Sequence, residues 1–310
     1  MSVVAAERPR TVGLPANWRR RFTRRKLLAF CARWAMLGLA LFVFLTPVVW
    51  LLLLSFRPEA QWTSSPPDWI PDDWTVFSYT HMWHTGAEAG ATAAGGGGGA
   101  GRIALVNSLI ITGSATAAAM IIGTLAAYSM SKFRTGGKNF ALWILSIRFL
   151  PPIIFTIPLL LIFSDLNLVN TYQGIILIYT LFSVAFVVWM MKGFFDEVPR
   201  DIEESARVDG CSWFGTMWRI SIPLVLPGFV AVLLLTFIFL WTELLFAVIF
   251  LSGDKHTIPV ELFAFFTPNQ GLKWGPQAAM SVMAIAPVLA FALIIQKYLI
   301  RGMTFGAVRE

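Results

Sequence analysis

Residues 199–223 read PRDIEESARVDGCSWFGTMWRISIP, a polar stretch between two long apolar segments. Pro199 suits the first turn of a helix, and the acidic residues behind it lie near that helix's positive end. Gly210 is a typical position for a helix to stop, and Ser212 can cap a second short helix. Pro223 would end the second helix. The stretch therefore predicts a helix, a turn and a further helix.

This loop has the features of a docking surface. Ile202 and Ala206 share one face of the first predicted helix, and Trp213 and Phe214 begin the second. The alternative is an amphipathic hairpin that lies on lipid. Six acidic residues against four basic ones over 192–223 argue against an anionic lipid surface. We therefore favour docking of a protein partner, and the lipid interpretation stays open.

The whole chain is far more apolar than a soluble protein. Of its 310 residues, 57% are hydrophobic and 13% are charged. So few charges could not cover a soluble domain, and so apolar a chain is not intrinsically disordered. Two cysteines exclude a disulfide framework, a cysteine-rich zinc site and an iron–sulfur cluster. Six stretches are long enough to cross a membrane as helices, namely 31–56, 103–130, 140–163, 173–193, 224–251 and 277–300.

The distribution of Lys and Arg sets the orientation of these spans. With the N-terminus inside, 18 of the 24 basic residues fall in inner segments and 4 in outer ones. We therefore expect both termini in the cytoplasm, and we interpret the net charge of +7 as a topological bias, not a nucleic-acid footprint. The expected organisation is a basic cytoplasmic segment at 1–30 and a six-helix domain at 31–310. The latter contains a flexible Gly/Ala-rich insert at 86–101 and the cytoplasmic loop at 194–223.

The spacing within the loop is specific. Glu204-Ser205-Ala206 is followed after three residues by Gly210, after nine more by Ile220, and then by Ile222-Pro223. This arrangement resembles the Glu-Ala-Ala loop of ABC importer permeases, with Ser205 for Ala and Ile222 for Leu as departures. The tail at 302–309 is similar to that of the carbohydrate (maltose-type) branch. The resemblance implies an all-α integral membrane protein with the type I ABC importer permease fold, similar to the second six-helix permease subunit.

The resemblance also implies partners. They are a second permease subunit, two cytoplasmic ABC ATPase subunits and an extracytoplasmic solute-binding protein, at a prokaryotic inner membrane. The chain has no Gly-x-x-x-x-Gly-Lys-Ser/Thr phosphate loop, so we expect no catalysis and no cofactor or metal here, with ATP and Mg²⁺ on the ATPase subunits. The residues implied in ATPase coupling are Glu204, Ser205, Ala206, Asp209, Gly210, Trp213, Phe214, Ile220 and Pro223.

Two further sets of residues are candidate contacts, although the resemblance implies that solute contacts lie mainly on the partner permease. Asn269, Gln270, Gly271 and Trp274 in the third outer loop are implied to contact the binding protein, and a plain surface turn is the alternative. The translocation path is expected to include Glu243, Trp241, Asn107 and Arg148.

Ionisable groups at membrane depth need partners or water, so Arg148 and Glu243 have two interpretations. They line the path of a polar solute, or they form a salt bridge with each other or at an interface. Arg148 also lies close enough to the inner loop to extend its side chain towards the interface.

The solute class also has alternatives. A sugar, oligosaccharide or polyol importer is favoured, and an importer of a glycerol phosphate ester has a similar tail. A phosphate-bearing solute would favour basic residues in the path, for which Arg148 is the candidate. A secondary transporter would show inverted repeats and would leave the loop unexplained.

Overall fold

The computed structural model describes residues 24–62, 70–71, 73–83, 100–137, 139–264 and 273–305, and these form helices and turns without a β-strand. In chain order the helices are α1 Arg24–Ser55, α2 Phe77–Trp83, α3 Ala100–Phe133, α4 Phe140–Ser146, α5 Ile153–Asp165, α6 Tyr172–Asp196, α7 Arg200–Val208, α8 Trp213–Thr216, α9 Ile222–Leu224, α10 Leu226–Trp241, α11 Leu245–Phe250, α12 Ile258–Ala264 and α13 Trp274–Phe305. A π-helical segment, Met217–Ser221, joins α8 to α9.

The chain divides into two compact units, Met1–Trp50 and Leu51–Glu310. The described part of the first unit is α1 as far as Trp50, an apolar helix with Pro47 inside it. The second unit contains all the other helices.

Within the described residues, four helices are long and apolar enough to cross a membrane: Leu28–Ser55, Gly101–Phe133, Tyr172–Asp196 and Trp274–Tyr298. They confirm the first, second, fourth and sixth predicted spans. Two bent pairs pass the same test, Phe140–Phe149 with Ile153–Asp165 at 94° and Trp213–Leu224 with Leu226–Trp241 at 83°. The described chain therefore has six spans if each bent pair counts as one.

The bend in the third span lies at Pro151 and Pro152. The residue before a proline is pushed out of the helical region, and Leu150 is extended, with φ −75° and ψ 136°. The chain resumes as a helix at Ile153. Two consecutive prolines therefore break the helix and bend the span by 94° at this point.

The fifth predicted span, 224–251, is wrong as one continuous helix. Helix α10 ends at Trp241 and α11 begins at Leu245, so the backbone is irregular around Glu243. Both flanks are equally apolar, and an apolar window therefore does not reveal the break. At the other end, α9 and α10 meet at the 83° bend.

The packing of α3 against α6 is the most extensive helix–helix contact in the second unit. Small residues on α3 allow this approach, and Ala115, Ala119 and Ala127 are fully buried. A Cβ on Gly123 would lie 2.6 Å from a methyl carbon of Val187. This close packing places the C-terminal ends of α3 and α6 beside the polar loop.

Candidate functional site

The polar loop has the predicted helix-turn-helix form, but Pro223 does not end the second helical stretch, which continues through it to Leu224. Helix α7 covers Arg200–Val208, and its end is closed by two backbone hydrogen bonds, Cys211 N–H to Ala206 O at 3.0 Å and Gly210 N–H to Arg207 O at 3.1 Å. This is the Schellman arrangement, which requires a left-handed residue at the position of Gly210. The φ of Gly210 is +88°, so the predicted helix stop is confirmed.

The second helix of the loop, α8, is fixed by its cap and by an aromatic contact. The Ser212 hydroxyl accepts a hydrogen bond from Gly215 N–H at 3.0 Å, which confirms the predicted cap. The Arg207 guanidinium lies 4.7 Å from the centre of the Trp213 ring, and the Phe133 ring meets the same indole at 4.8 Å. Trp213 therefore joins α7 to the end of α3.

An apolar cavity of about 300 Å³ separates the loop from α3. Phe214, Met217 and Trp218 line it from the loop, and Met120 and Thr124 line it from α3. Phe214 and Trp218 remain exposed on their other sides. The aromatic residues of the loop thus border the membrane helices as well as the surface.

The residues expected to couple to an ATPase fall into two groups. Ala206 is buried and Ile220 is half-buried. The remainder are exposed, namely Glu204, Ser205, Asp209, Gly210, Trp213, Phe214 and Pro223. Ile202, which was expected to share the face of Ala206, is 44% exposed. Glu203 takes the buried position instead, one turn before Ala206.

Sequence reasoning missed the role of Glu203, which is only 2% exposed. One of its carboxylate oxygens lies 2.8 Å from the Lys132 ammonium, and the other accepts a hydrogen bond from the Ser221 hydroxyl at 2.6 Å. Lys132 also donates to the Phe195 carbonyl oxygen at 2.8 Å. The sequence signal for a buried carboxylate was Lys132, because this cation lies in the last turn of an apolar helix and needs an anionic partner.

A second polar site lies where the third and fifth spans break. A cavity of about 160 Å³ is lined by Arg148 and Leu150 from the first break and by Glu243 from the second, with Tyr179 and Ser183 from α6. The sequence left open whether Arg148 and Glu243 line a solute path or form a salt bridge, and the structure brings both to one cavity. Discontinuous membrane helices often frame solute sites in this way.

Glu243 and Arg148 do not pair with each other in the described structure. The Glu243 carboxylate accepts hydrogen bonds from the backbone N–H groups of Phe246 at 2.9 Å and Ala247 at 3.3 Å, and so caps α11. The Arg148 guanidinium lies over the rings of Phe186 and Phe239, at 5.6 and 5.5 Å. The cavity is therefore lined by a cation and a carboxylate that have different neighbours: aromatic rings lie beside Arg148, and backbone N–H groups of α11 bind Glu243.

Asn107 and Trp241, the other two residues expected on the path, do not line this cavity. The Asn107 amide donates to the carbonyl oxygens of Asp254 at 2.8 Å and His256 at 2.9 Å, and it accepts from the Tyr172 hydroxyl at 2.7 Å. The Trp241 indole is buried and donates to the Ala284 carbonyl oxygen at 3.1 Å. Both side chains are engaged with neighbouring elements of the bundle.

The expected contact with the binding protein falls mostly on a segment that is not described. Asn269, Gln270 and Gly271 lie outside the described residues, and Trp274 is the half-buried first residue of α13. Among the described residues, no group of three or more His, Cys, Asp or Glu could hold a metal ion. Burial, followed by the charge of Lys273, lowers the pKa of His81, so this imidazole is neutral at pH 7.

A family model described as the binding-protein-dependent transport system inner membrane component matches residues 119–305. The chain belongs to this family. The permease is 32% identical to a probable ABC transporter permease protein, y4oR of Sinorhizobium fredii, over 93% of this chain and 97% of the relative. It is 31% identical to the trehalose/maltose transport system permease protein MalG of Thermococcus litoralis, over 66% of this chain and 74% of that protein.

A solved structure has the same fold as the permease. It is a bacterial ABC transporter involved in the import of the acidic polysaccharide alginate, with a TM-score of 0.65 at 21% identity over 89% of this chain and 98% of that one. The expected ABC importer permease fold is therefore confirmed. The permease is a multi-pass inner membrane component, and its family implies a partner ATPase and a solute-binding protein.

Proposed function

We propose that this permease is one of two membrane subunits of an importer for a carbohydrate or related polyol, driven by two partner ATPase subunits. ATP and Mg²⁺ bind to those ATPases, and this chain binds neither. An extracytoplasmic binding protein delivers the solute to the outer side, where the segment around Asn269, Gln270, Gly271 and Trp274 contacts it. The sugar permeases among the relatives support the solute class.

The observation that carries the proposal is the exposed side of the polar loop. We call Glu204, Ser205, Val208, Asp209 and Gly210 the coupling surface, and all five are exposed at the end of α7. Val208 is 87% exposed, so this surface offers an apolar side chain among polar ones. Its acidic neighbours suit basic groups on the ATPase.

The substitution Gly210→Asp tests this coupling. No atom lies within 4 Å of the position of a Cβ on Gly210, so the side chain would project from the coupling surface and the left-handed backbone would be strained. We expect uptake to be lost while the permease is inserted in normal amount. The control is Gly137→Asp, because Gly137 has φ +79° and equally open surroundings. Uptake at the wild-type rate in Gly210→Asp would refute the assignment.

The cavity at the two helix breaks is the proposed part of the path in this subunit. Its rings and few polar groups are the lining expected for a small polar solute. Arg148→Gln and Glu243→Gln should each reduce uptake without loss of assembled complex. Loss of assembly in Glu243→Gln alone would assign that carboxylate to capping of α11 rather than to the solute.

Arg148 is the observation that favours the alternative solute, a glycerol phosphate ester. A cation in the path would attract an anionic solute, whereas neutral sugars need no such charge. Calorimetric screening of the partner binding protein against maltodextrins and sn-glycerol 3-phosphate separates the two. Binding of the phosphate ester alone would replace the carbohydrate in this proposal.

A further inference from the structure

The polar loop is tied to the membrane helices by a buried ionic network that lies beneath the coupling surface. Its centre is the Lys132–Glu203 pair, with side chains 5% and 3% exposed and a separation of 2.8 Å. Ser221 donates to the second Glu203 oxygen, and Lys132 donates to the carbonyl oxygens of Phe195 at 2.8 Å and Val198 at 3.4 Å. One ammonium and one carboxylate therefore join α3, the end of α6, α7 and the π-helical segment.

We propose that Lys132 and Glu203 are positioning residues that make α7 move as one body with the C-terminal ends of α3 and α6. This inference rests on the proposed function, because it concerns how motion of the coupling surface reaches the membrane helices. Glu203 touches neither ATP nor solute in this account. It acts through the elements that it holds together.

Burial makes this network suitable for transmitting displacement. If α7 slid along α3, it would leave a charged ammonium or carboxylate without its partner in a dry environment, which is strongly unfavourable. All three ammonium protons of Lys132 have an acceptor among the described residues. Pulling on α7 therefore moves the ends of α3 and α6 with it.

The contact between Trp213 and its neighbours supports the same connection. Arg207 of α7 lies on one side of the indole and Phe133 of α3 on another, at 4.7 and 4.8 Å. These aromatic contacts are exposed and weaker than the buried pair. They keep α8 aligned with α3 and α7, which the Lys132–Glu203 ion pair holds together.

The test compares coupling in the complete importer, reconstituted in proteoliposomes with its ATPases and binding protein. The measured quantity is the number of ATP molecules hydrolysed per solute molecule imported. In Glu203→Gln and Lys132→Met we expect this ratio to rise at least tenfold, because hydrolysis continues while motion is not transmitted. A purely structural role would lower hydrolysis and import together and leave the ratio unchanged.

The matched control is Lys192→Met. Lys192 pairs with Asp196 one turn away on α6, close to the same loop, but this pair is partly exposed. Removing it should leave the ratio at the wild-type value. Ser221→Ala removes one hydrogen bond from Glu203 and keeps the ion pair, so it should raise the ratio less than Glu203→Gln does.

A distance measurement on a protein that keeps both Lys132 and Glu203 makes the test independent of the stability of the Glu203→Gln and Lys132→Met variants. Spin labels are attached at Asp201→Cys, which is exposed on α7 outside the coupling surface, and at Arg134→Cys just after α3, with Cys31 and Cys211 replaced by Ser. Pulsed electron paramagnetic resonance then compares the distance between the two labels in the nucleotide-free and vanadate-trapped complexes. We expect the distance between the two labels to be the same in both states.

Each outcome decides between the alternatives. An unchanged ratio in assembled Glu203→Gln, or a label separation that changes between the two states, would overturn the inference. If Glu203→Gln fails to assemble, the label separation decides alone. If Gly210→Asp imports normally, the proposed coupling itself is wrong. If Gly210→Asp is inactive and Glu203→Gln keeps the wild-type ratio, only the present inference fails.

Discussion

Gly210 shows how one backbone angle determines the shape of the coupling surface. Its φ of +88° is unfavourable for other residues by about 1–2 kcal/mol, although the space around it is open. We expect uptake to fall several-fold in Gly210→Ala and less in Gly210→Asn, because Asn tolerates the left-handed region better. Solute uptake normalised to membrane abundance measures this order. An equal loss in Gly137→Ala, which has a φ of +79°, would assign the effect to strain alone.

For Asn107 we predict a structural role from its hydrogen bonds. Three hydrogen bonds connect its amide to the turn that holds Asp254 and His256 and to Tyr172 of α6. Asn107→Ala should lower the free energy of unfolding by about 1–3 kcal/mol, since two carbonyl oxygens lose their donor. The KM for solute should stay at the wild-type value.

Thermal unfolding in detergent, together with an uptake titration, checks the Asn107 prediction. Ser108→Ala is the graded control, because the Ser108 hydroxyl accepts one hydrogen bond, from Ile258 N–H at 2.9 Å. It should lower stability less than Asn107→Ala. A raised KM with unchanged stability in Asn107→Ala would instead place Asn107 on the path.

Two adjacent acidic residues show which part of the site can be predicted from the sequence and which part cannot. Glu203 and Glu204 differ by one position on α7, yet the first is buried and the second is exposed. The motif spacing identifies Glu204 correctly as a surface residue. The burial of Glu203 depends on Lys132, which is 71 positions away in the chain. A local sequence pattern covers only a few residues, so it cannot reveal a contact between two residues that are 71 positions apart.

The short helix α8 depends on its cap more than a long helix would. It has four residues, and the Ser212 hydroxyl binds the Gly215 amide at 3.0 Å. Ser212→Ala should cost about 1 kcal/mol, which makes opening of this turn roughly fivefold more frequent. Hydrogen exchange of a peptide covering 211–218 measures the change. Ser212→Asp should restore protection, and equal exchange in wild type and Ser212→Ala would contradict the assigned cap.

The spans show where sequence patterns succeed and where they stop. Helices α3, α6 and α13 were predicted to within a few residues, because a long apolar run has one structural solution in a membrane. The break near Pro151 was also predictable, since proline acts locally. The break at Glu243 was not predictable from the sequence. The Glu243 carboxylate caps α11 only in the folded chain, where the backbone has already left the helix before it.

Across the whole molecule, the polar groups gather at distinct levels of an apolar bundle. The ionic network of Glu203 ties the loop helices to the ends of α3 and α6. The cavity of Arg148 and Glu243 lies at the two helix breaks. Asn107 holds the turn at 254–256 near the opposite end of α3. Both the network and the cavity involve α6, so this helix connects the proposed coupling surface to the proposed path.

The orientation of the permease as a whole is a prediction from its charges, with 18 basic residues expected inside and 4 outside. It places Arg134 in the cytoplasm and Ser252 on the outer side, and both are exposed. In a variant with Cys31 and Cys211 replaced by Ser, a membrane-impermeant maleimide applied to intact spheroplasts should label Ser252→Cys. It should label Arg134→Cys only after permeabilisation. The reverse pattern would invert the topology and move the coupling surface away from the compartment that contains ATP.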